Sequence, residues 1–215
     1  MSSSGDTAAT FCATLVDEWA RQGVRHAVVA PGSRSTPLAV ALTRNESIEV
    51  HVFHDERSAS FAALGIGSAS GFPSVLLCTS GTAATHFHGA VVEAHQSDVP
   101  MIVCTADRPP ELRDVGAAQT IDQTHLFGTA VRWFHDPGVP SRDAASTWRS
   151  LAARTVQASV GVRSGPVHLN LPFREPLTGE VVDMPESREK KWSEVIRLGS
   201  SETQEVAEIV KTISG

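Results

Sequence analysis

Charged and polar side chains follow the apolar runs of this sequence at the points where each run ends. Ser33 and Arg34 follow the first run, Glu56 follows the second and Arg108 follows the fourth. Arginine binds carboxylates and phosphates through paired hydrogen bonds, and a carboxyl group in partly apolar surroundings can exchange a proton near neutral pH. These residue types indicate a site that binds an anionic small molecule and moves a proton.

Glu56 lies between a strand-like run and an apolar segment that begins at Ser58. A carboxyl group there is expected to be partly desolvated and biased toward its protonated form, so that it can share a proton with a ligand nitrogen. Asp55 is the better N-cap, which leaves Glu56 without a capping task. The alternative is that Glu56 only occupies the first turn of a helix, where the helix dipole favours a negative charge.

The two arginines differ in the loops that carry them. Ser33 and Arg34 lie in a Pro-Gly turn before a helix, whose N-terminal N–H groups also suit an anion. A salt bridge at the helix end is the competing explanation for Arg34. Arg108 precedes two prolines that stiffen its loop and fix the direction of the guanidinium group, which favours ligand binding over a purely structural role.

The elements that must position these residues alternate between strand and helix. A first helix is predicted after a cap at Asp6 or Thr7, ending at Gly23, and another over 144–160 after Asp143. Strands are predicted at 26–30, 48–53, 74–78, 101–104 and 166–171. Near-continuous apolar strands that alternate with helices are typical of an α/β fold with a parallel sheet flanked by helices on both faces. Ligands bind such sheets outside the carboxyl ends of the strands, so we expect the polar turns to form one site.

Composition bounds the function. The 215 residues are 41% hydrophobic and 20% charged, enough for one well-buried domain with chain to spare. Lys plus Arg number 18 against 24 Asp plus Glu, a net charge of −6, which excludes a basic field for nucleic acid or an anionic membrane. The charge-free stretch 58–92 is interrupted by glycines and is predicted to be a buried interior, not a membrane span.

The three cysteines and the first residues indicate a cytoplasmic location. Cys12, Cys78 and Cys104 each lie in an apolar run, which predicts buried reduced thiols. The N-terminal residues have neither the cationic nor the apolar region of a secretory signal.

Other motifs carry less weight. Gly65 and Gly67 lack the third glycine of a dinucleotide fingerprint. Three histidines that lie close together in the sequence are predicted to be packing residues and not metal ligands: His86, His88 and His95. Three tryptophans are predicted to lie in a core or an interface: Trp133, Trp148 and Trp192.

The domain is predicted to span 1–177. Residues 178–215 turn polar and then show a capped helix start at Ser201, as expected for a linker and the start of a following, truncated central domain. A small helix that docks back on the domain is the alternative.

Five segments carry a resemblance to a known family. They are Val-Val-Ala-Pro-Gly-Ser-Arg-Ser-Thr-Pro-Leu at 28–38, His-Asp-Glu-Arg-Ser-Ala-Ser-Phe-Ala-Ala-Leu-Gly at 54–65, Thr-Ser-Gly-Thr-Ala at 79–83, Thr-Ala-Asp-Arg-Pro-Pro-Glu-Leu at 105–112 and Gly-Ala-Ala-Gln-Thr-Ile-Asp-Gln at 116–123. Over roughly residues 8–178 the sequence resembles the N-terminal pyrimidine-binding domain of thiamine-diphosphate enzymes. Within that superfamily it is similar to the 2-succinyl-5-enolpyruvyl-6-hydroxy-3-cyclohexene-1-carboxylate synthases, the MenD family of menaquinone biosynthesis.

The resemblance implies roles for individual residues. Glu56 would be the catalytic residue that hydrogen-bonds N1′ of the aminopyrimidine of thiamine diphosphate, and Gly81 and Thr82 would also contact the cofactor. Four residues would bind the substrates, 2-oxoglutarate and isochorismate: Ser33, Arg34, Arg108 and Gln119. The implied reaction decarboxylates 2-oxoglutarate and adds the succinyl carbanion to isochorismate in a 1,4 sense.

Two departures from the family pattern qualify the resemblance. Ala118 stands where the family usually has Asn, so one polar contact is missing or supplied elsewhere. The Gly-Asp-Gly motif that holds Mg²⁺ and the diphosphate is absent from these residues, so the metal ligands are expected in a C-terminal domain and the chain alone is expected to be inactive. The family also implies a homodimer or homotetramer with the site at the subunit interface. An acetolactate-synthase-type carboligase and a non-catalytic α/β binding module stay open as alternatives.

Overall fold

Short apolar, β-branched runs form the strands of one sheet, and the segments between them form helices. The computed structural model describes residues 3–189. The helices are α1 (Ser4–Gln22), α2 (Thr36–Arg44), α3 (Glu56–Ser70), α4 (His88–Gln96) and α5 (Trp148–Val160). The strands are β1 (His26–Val29), β2 (Glu49–Val52), β3 (Ser74–Cys78), β4 (Met101–Asp107), β5 (Trp133–His135) and β6 (Pro166–Pro172). Three 3₁₀ helices span Gly81–Phe87, Pro110–Leu112 and Arg142–Thr147.

All neighbouring strands of the sheet are parallel, in the order β2-β1-β3-β4-β6-β5. Strands β3, β4 and β6 are buried at every residue, as expected for strands covered on both faces. The chain runs outward from β1 to β2 and then returns to the other side of β1 with β3. This reversal places a crevice between the carboxyl ends of β1 and β3.

Each face of the sheet carries its own hydrophobic core, which confirms the predicted parallel sheet flanked by helices on both faces. One core joins α1, α2 and α5 to the sheet around Phe11, Trp19 and Trp148. The other joins α3 and α4 around Phe87 and Phe127. The cysteines divide between these cores as buried free thiols.

The structure confirms the predicted cap of α3 and corrects the predicted cap of α1. Asp55 caps α3 as predicted, since its Oδ1 accepts a hydrogen bond from the backbone N–H of Ser58 at 2.7 Å. The first helix begins earlier than predicted, because Ser3 is its N-cap and Asp6 is the reciprocal partner in a capping box. Asp6 therefore lies inside the first turn and not before it.

The structure corrects two further expectations. The segment 144–160 is not one helix, since a 3₁₀ helix precedes α5. The 3₁₀ helix is capped by the Oγ of Ser141 and not by the side chain of Asp143. Strand β5 was missed because it has only three residues, too few for an alternating pattern. It forms one edge of the sheet, which places β6 inside.

The polar stretch that follows residue 177 contacts the domain as far as the structure describes it. Thr10 on α1 exchanges two hydrogen bonds with the backbone of Val182, at 3.0 and 3.2 Å. Arg149 on α5 donates to the carbonyl of Pro185 at 2.8 Å. The domain boundary stays a prediction, and Trp192 and the helix expected from Ser201 lie outside the described residues.

None of the helices described within residues 3–189 is long and apolar enough to cross a membrane. The charge-free stretch 58–92 is divided among α3, β3, a 3₁₀ helix and part of α4.

Two glycines of α3 provide a matched test of the packing between α3 and the start of β4. A Cβ on Gly67 would lie 2.5 Å from the carbonyl oxygen of Pro100, whereas a Cβ on Gly65 meets nothing within 4 Å. Gly65→Ala should therefore raise the free energy of unfolding by about 0.5–1 kcal/mol through helix propensity. Gly67→Ala should lower it by about 1–3 kcal/mol because the backbone must shift. Urea unfolding of the two variants checks this prediction, and equal gains in stability would contradict the close approach.

Candidate active site

The turn after β1 holds Arg34 in an almost fully buried position. Its side chain donates hydrogen bonds to the carbonyl of Phe173 at 2.9 Å and to the carboxylate of Glu175 at 3.1 Å. Its Nε is buried and has no hydrogen-bond partner within residues 3–189. Arg34 thus forms a salt bridge, but as a buried side chain that pairs with Glu175 after β6 and not as a surface residue at a helix end. Ser33 is exposed beside it.

Glu56 is the first residue of α3, next to the end of β2. Its side chain is half-buried and makes no hydrogen bond or ion pair within the part of the chain that the structure describes. Burial, and second the charge of Glu56, raise the pKa of the Cys78 thiol at the end of β3. The carboxylate therefore lies close enough to β3 for its field to reach that strand, and it is available to a ligand.

Arg108, directly after β4, reaches across to the turn that follows β3. It donates to the Oγ of Ser80 at 2.6 Å and to the carbonyl of Ala118 at 3.3 Å. Burial, and then the positive charge of Arg34, lower the pKa of Arg108. The two guanidinium groups are thus electrostatic neighbours, an arrangement that an anionic ligand between them would stabilise.

The turn after β3 packs closely against the segment that contains Gln119. Gly81 has a φ of 84°, and a Cβ on it would lie 3.0 Å from the Cγ and the carbonyl oxygen of Gln119. Gln119 itself has a φ of 55° and donates from Nε2 to the carbonyl of Ser80 at 3.0 Å. Thr82 is exposed in the 3₁₀ helix that follows. Gly81 and Gln119 therefore meet at the edge of the sheet that carries Glu56 and Arg108.

A buried amide network fixes these loops, and it was not among the candidate residues. Gln123 accepts from the backbone N–H of Gly81 at 2.8 Å, and it donates to the Oδ1 of Asn170 at 2.8 Å. Asn170 donates in turn to Asp107 at 2.9 Å and to Asp136 at 3.0 Å. The signal in the sequence was an asparagine within the apolar run 166–171, since a fully buried amide requires partners.

Asp107 connects this network to Arg108. Its carboxylate accepts from the backbone N–H of Arg108 at 2.7 Å and from the guanidinium of Arg113 at 2.8 Å. Burial raises its pKa above the ordinary value, against the opposing effects of Asn170 and Arg113. The start of the Arg108 loop is therefore anchored below the surface while the side chain of Arg108 reaches the site.

Residues 9–126 match a family described as the thiamine pyrophosphate enzyme, N-terminal TPP binding domain. All seven candidate residues, from Ser33 to Gln119, lie within the matched range.

Curated relatives share one name, 2-succinyl-5-enolpyruvyl-6-hydroxy-3-cyclohexene-1-carboxylate synthase. A protein of Thermobifida fusca is 58% identical over 173 residues, 80% of this chain and 31% of its own length. One of Geobacillus kaustophilus is 49% identical, over 88% of this chain and 32% of its own. One of Bacillus velezensis is 45% identical, over 95% of this chain and 36% of its own length. The chain thus spans about a third of the length of these relatives.

His168 provides a test of the buried network, because a second proton on its ring would have no hydrogen-bond acceptor within residues 3–189. Thr105 donates its hydroxyl to Asn170, so the hydrogen bond of 2.8 Å between Thr105 and His168 comes from the Nε2–H of the histidine. Its Nδ1 is buried without a partner within residues 3–189. Burial lowers the pKa of His168 to about 3.

His168→Gln should therefore flatten the loss of stability in acid. The unfolded chain takes up a proton near the ordinary pKa of 6.5 and the folded chain does not, so the free energy of unfolding falls as the pH drops from 6.5 toward 3. The slope from this group is at most about 1.4 kcal/mol per pH unit. Gln keeps the hydrogen bond to Thr105 and does not titrate. Urea unfolding at about pH 7, 6 and 5 measures how the free energy of unfolding depends on pH, and His86→Gln, at an exposed histidine, is the control. An equal pH dependence in wild type and His168→Gln would contradict the prediction.

Proposed function

Because the chain belongs to the thiamine pyrophosphate enzyme family, as its N-terminal TPP binding domain, we propose that it forms the cofactor-activating part of a 2-succinyl-5-enolpyruvyl-6-hydroxy-3-cyclohexene-1-carboxylate synthase. The proposed substrates are 2-oxoglutarate and isochorismate. The proposed reaction is decarboxylation of the first and 1,4-addition of its succinyl carbanion to the second, in menaquinone biosynthesis. Identities of 45–58% with curated synthases support this assignment over an acetolactate-synthase-type carboligase.

The observation that carries the proposal is the carboxylate of Glu56. It is half-buried at the start of α3 and has no side-chain or backbone partner within residues 3–189, although Asp55 beside it is engaged as the cap. A carboxyl group left unpaired at the ligand-binding edge of a parallel sheet is suited to hold a proton at a ligand nitrogen. We propose that this nitrogen is N1′ of the aminopyrimidine.

The residues present fit the cofactor. Glu56 offers an unpaired acceptor, and the missing Cβ of Gly81 lets its backbone approach Gln119 closely, which fixes the turn that leads to Thr82. When bound, thiamine diphosphate supplies the carbanion chemistry that amino-acid side chains lack. Glu56 would hold the proton shared with N1′, while Gly81 and Thr82 would line the pyrimidine pocket. We propose that Mg²⁺ and the diphosphate are held by a region that corresponds to the remaining length of the relatives.

The substrate carboxylates would bind at the two neighbouring arginines. Arg108 is fixed by Ser80 and the carbonyl of Ala118, and Arg34 retains an unpaired Nε–H. Ser33 and Gln119 complete the proposed set at the same edge. A chain of net charge −6 needs such local cations to bind anionic substrates. The carbonyl of Ala118 still contacts Arg108, so the replacement of the family's usual Asn removes a side chain but not this backbone contact.

The proposed protein is a cytoplasmic homo-oligomer, a dimer or a tetramer. The edge that carries Glu56 would be completed by a second subunit. The helices beside that edge leave apolar side chains exposed, Phe61 on α3 at 48% and Val92 on α4 at 37%, and a subunit surface would cover them.

Glu56→Gln should abolish most of the turnover without unfolding the protein. Gln keeps the shape of the side chain but cannot exchange a proton, so we expect kcat to fall by about 10²–10⁴. The assay uses thiamine diphosphate, Mg²⁺, 2-oxoglutarate and isochorismate with the longest form of the protein that the gene encodes.

Glu46→Gln is the matched control, because Glu46 is exposed in the turn before β2. Its turnover and the melting temperatures of both variants should equal those of the wild type. Unchanged turnover in Glu56→Gln would remove Glu56 from the mechanism, and an active enzyme that accepts pyruvate instead would indicate the acetolactate-synthase type. A wild-type protein that is inactive in its longest form would favour a non-catalytic binding module.

Arg108→Gln should raise KM for the carboxylate substrates by about tenfold, since one charged hydrogen bond to an anion contributes on the order of 1.5 kcal/mol. Arg174→Gln is the control, because Arg174 is exposed and pairs with Glu111. Steady-state kinetics and thermal melts compare the two variants. An Arg108→Gln enzyme with unchanged KM and a lower melting temperature would assign Arg108 a structural role only.

A further inference from the structure

Three side chains with metal-ligand chemistry meet on the neighbouring strands β1 and β2, before the carboxyl ends of these strands. They are His26, Glu49 and His51, and one ligand atom of each lies within 4.8 Å of the others. The parallel register pairs His26 with Glu49 and Val28 with His51, so all three side chains project from the same face. Strand β2 lies at one edge of the sheet, and each of its four residues is exposed or partly exposed.

The distances suit a tetrahedral metal ion. The Nε2 of His51 and the Nδ1 of His26 are 3.3 Å apart. Two nitrogens bound to one Zn²⁺ at about 2.05 Å in tetrahedral geometry are separated by about 3.3 Å. The carboxylate of Glu49 lies 3.7 Å from the same nitrogen of His26, and its side chain is 68% exposed and free to adjust by a few tenths of an ångström.

The donor set selects the class of ion. Two imidazoles and one carboxylate suit Zn²⁺ and related transition metals, whereas Mg²⁺ prefers oxygen ligands and water. Three protein ligands leave a fourth position for water, which the partly exposed side chains allow. The three thiols of the chain do not compete for the ion, because each is buried with a raised pKa.

We propose that His26, Glu49 and His51 form a binding site for a divalent transition-metal ion of the zinc type. This site is distinct from the proposed cofactor site, since its ligands lie within β1 and β2 and not in the turns that follow the carboxyl ends of the strands. Its effect is mechanical: the ion ties the free edge strand β2 to β1. Strand β2 leads directly to Glu56, so the ion stabilises the strand that positions this carboxylate.

Zinc titration of the untagged 215-residue chain tests the site. Isothermal calorimetry should show one equivalent of Zn²⁺ bound, and Mg²⁺ should give no heat at the same concentrations. His51→Ala and Glu49→Gln should each weaken the binding of Zn²⁺ by tenfold or more. Bound Co²⁺ should show the visible absorption of a four-coordinate ion in the wild type, and this absorption should be lost in His51→Ala.

Matched controls separate this site from general surface binding. His86→Ala replaces an exposed histidine outside the cluster, and Glu46→Gln replaces an exposed carboxylate just before β2. Both controls should bind Zn²⁺ as the wild type does, and Zn²⁺ should raise their melting temperatures but not that of His51→Ala. The proposal is overturned if the wild type binds no Zn²⁺, or if His51→Ala and Glu49→Gln bind it as tightly as the controls. The contact between His26 and His51 would then be a hydrogen bond between two rings.

Discussion

The proposed active site depends on one buried hydrogen-bonded network, centred on Asn170 in the middle of a fully buried strand. The side-chain amide of Asn170 links segments that are distant in sequence. Its oxygen accepts hydrogen bonds from Gln123 and Thr105, and its nitrogen donates to Asp107 and Asp136. A partly satisfied network of this kind costs more than an apolar core would. The loops that end β3, β4 and β5 are therefore held in one arrangement, because any other would leave buried groups unpaired.

This constraint explains how an acidic chain can present positive charge at the site. Arg34 and Arg108 repel one another, yet both are held by groups that are fixed elsewhere: Arg34 by the carbonyl of Phe173 after β6, and Arg108 by Ser80 after β3. The network in turn holds the backbone of Gly81 and of Arg108. The buried network thus fixes the backbone from which Arg108 extends toward Arg34 before any ligand arrives. This preorganisation lowers the free-energy cost of binding an anion.

The sequence predicted the parts of the fold that local chemistry determines. Apolar runs predicted five of the six strands within residues 3–189, and the capping rule predicted Asp55 at the start of α3. The parallel strands bring the predicted site residues to the carboxyl edge, where the site stays a prediction. Strand β5 was missed because three residues carry no period. The burial of Arg34 could not be predicted from the sequence, since its partners Phe173 and Glu175 lie more than a hundred residues away along the chain. Pattern reasoning assigns a residue to a turn but does not show which distant segment closes over it.

The histidines show the same limit in a sharper form. His86, His88 and His95 attract attention because they are close in sequence, yet no metal cluster within residues 3–189 includes them. No sequence pattern indicates the cluster of His26, Glu49 and His51, because their proximity depends on how the strands pair. Strand β2 must pair with β1 in parallel, with His26 opposite Glu49. A shift of the register by one residue would turn Glu49 and His51 to the other face and separate them from His26. The apolar residues of β1 are buried in the two cores, and Val50 of β2 packs against one of them. The cluster is therefore a consequence of how the sheet packs and not of any motif in the chain.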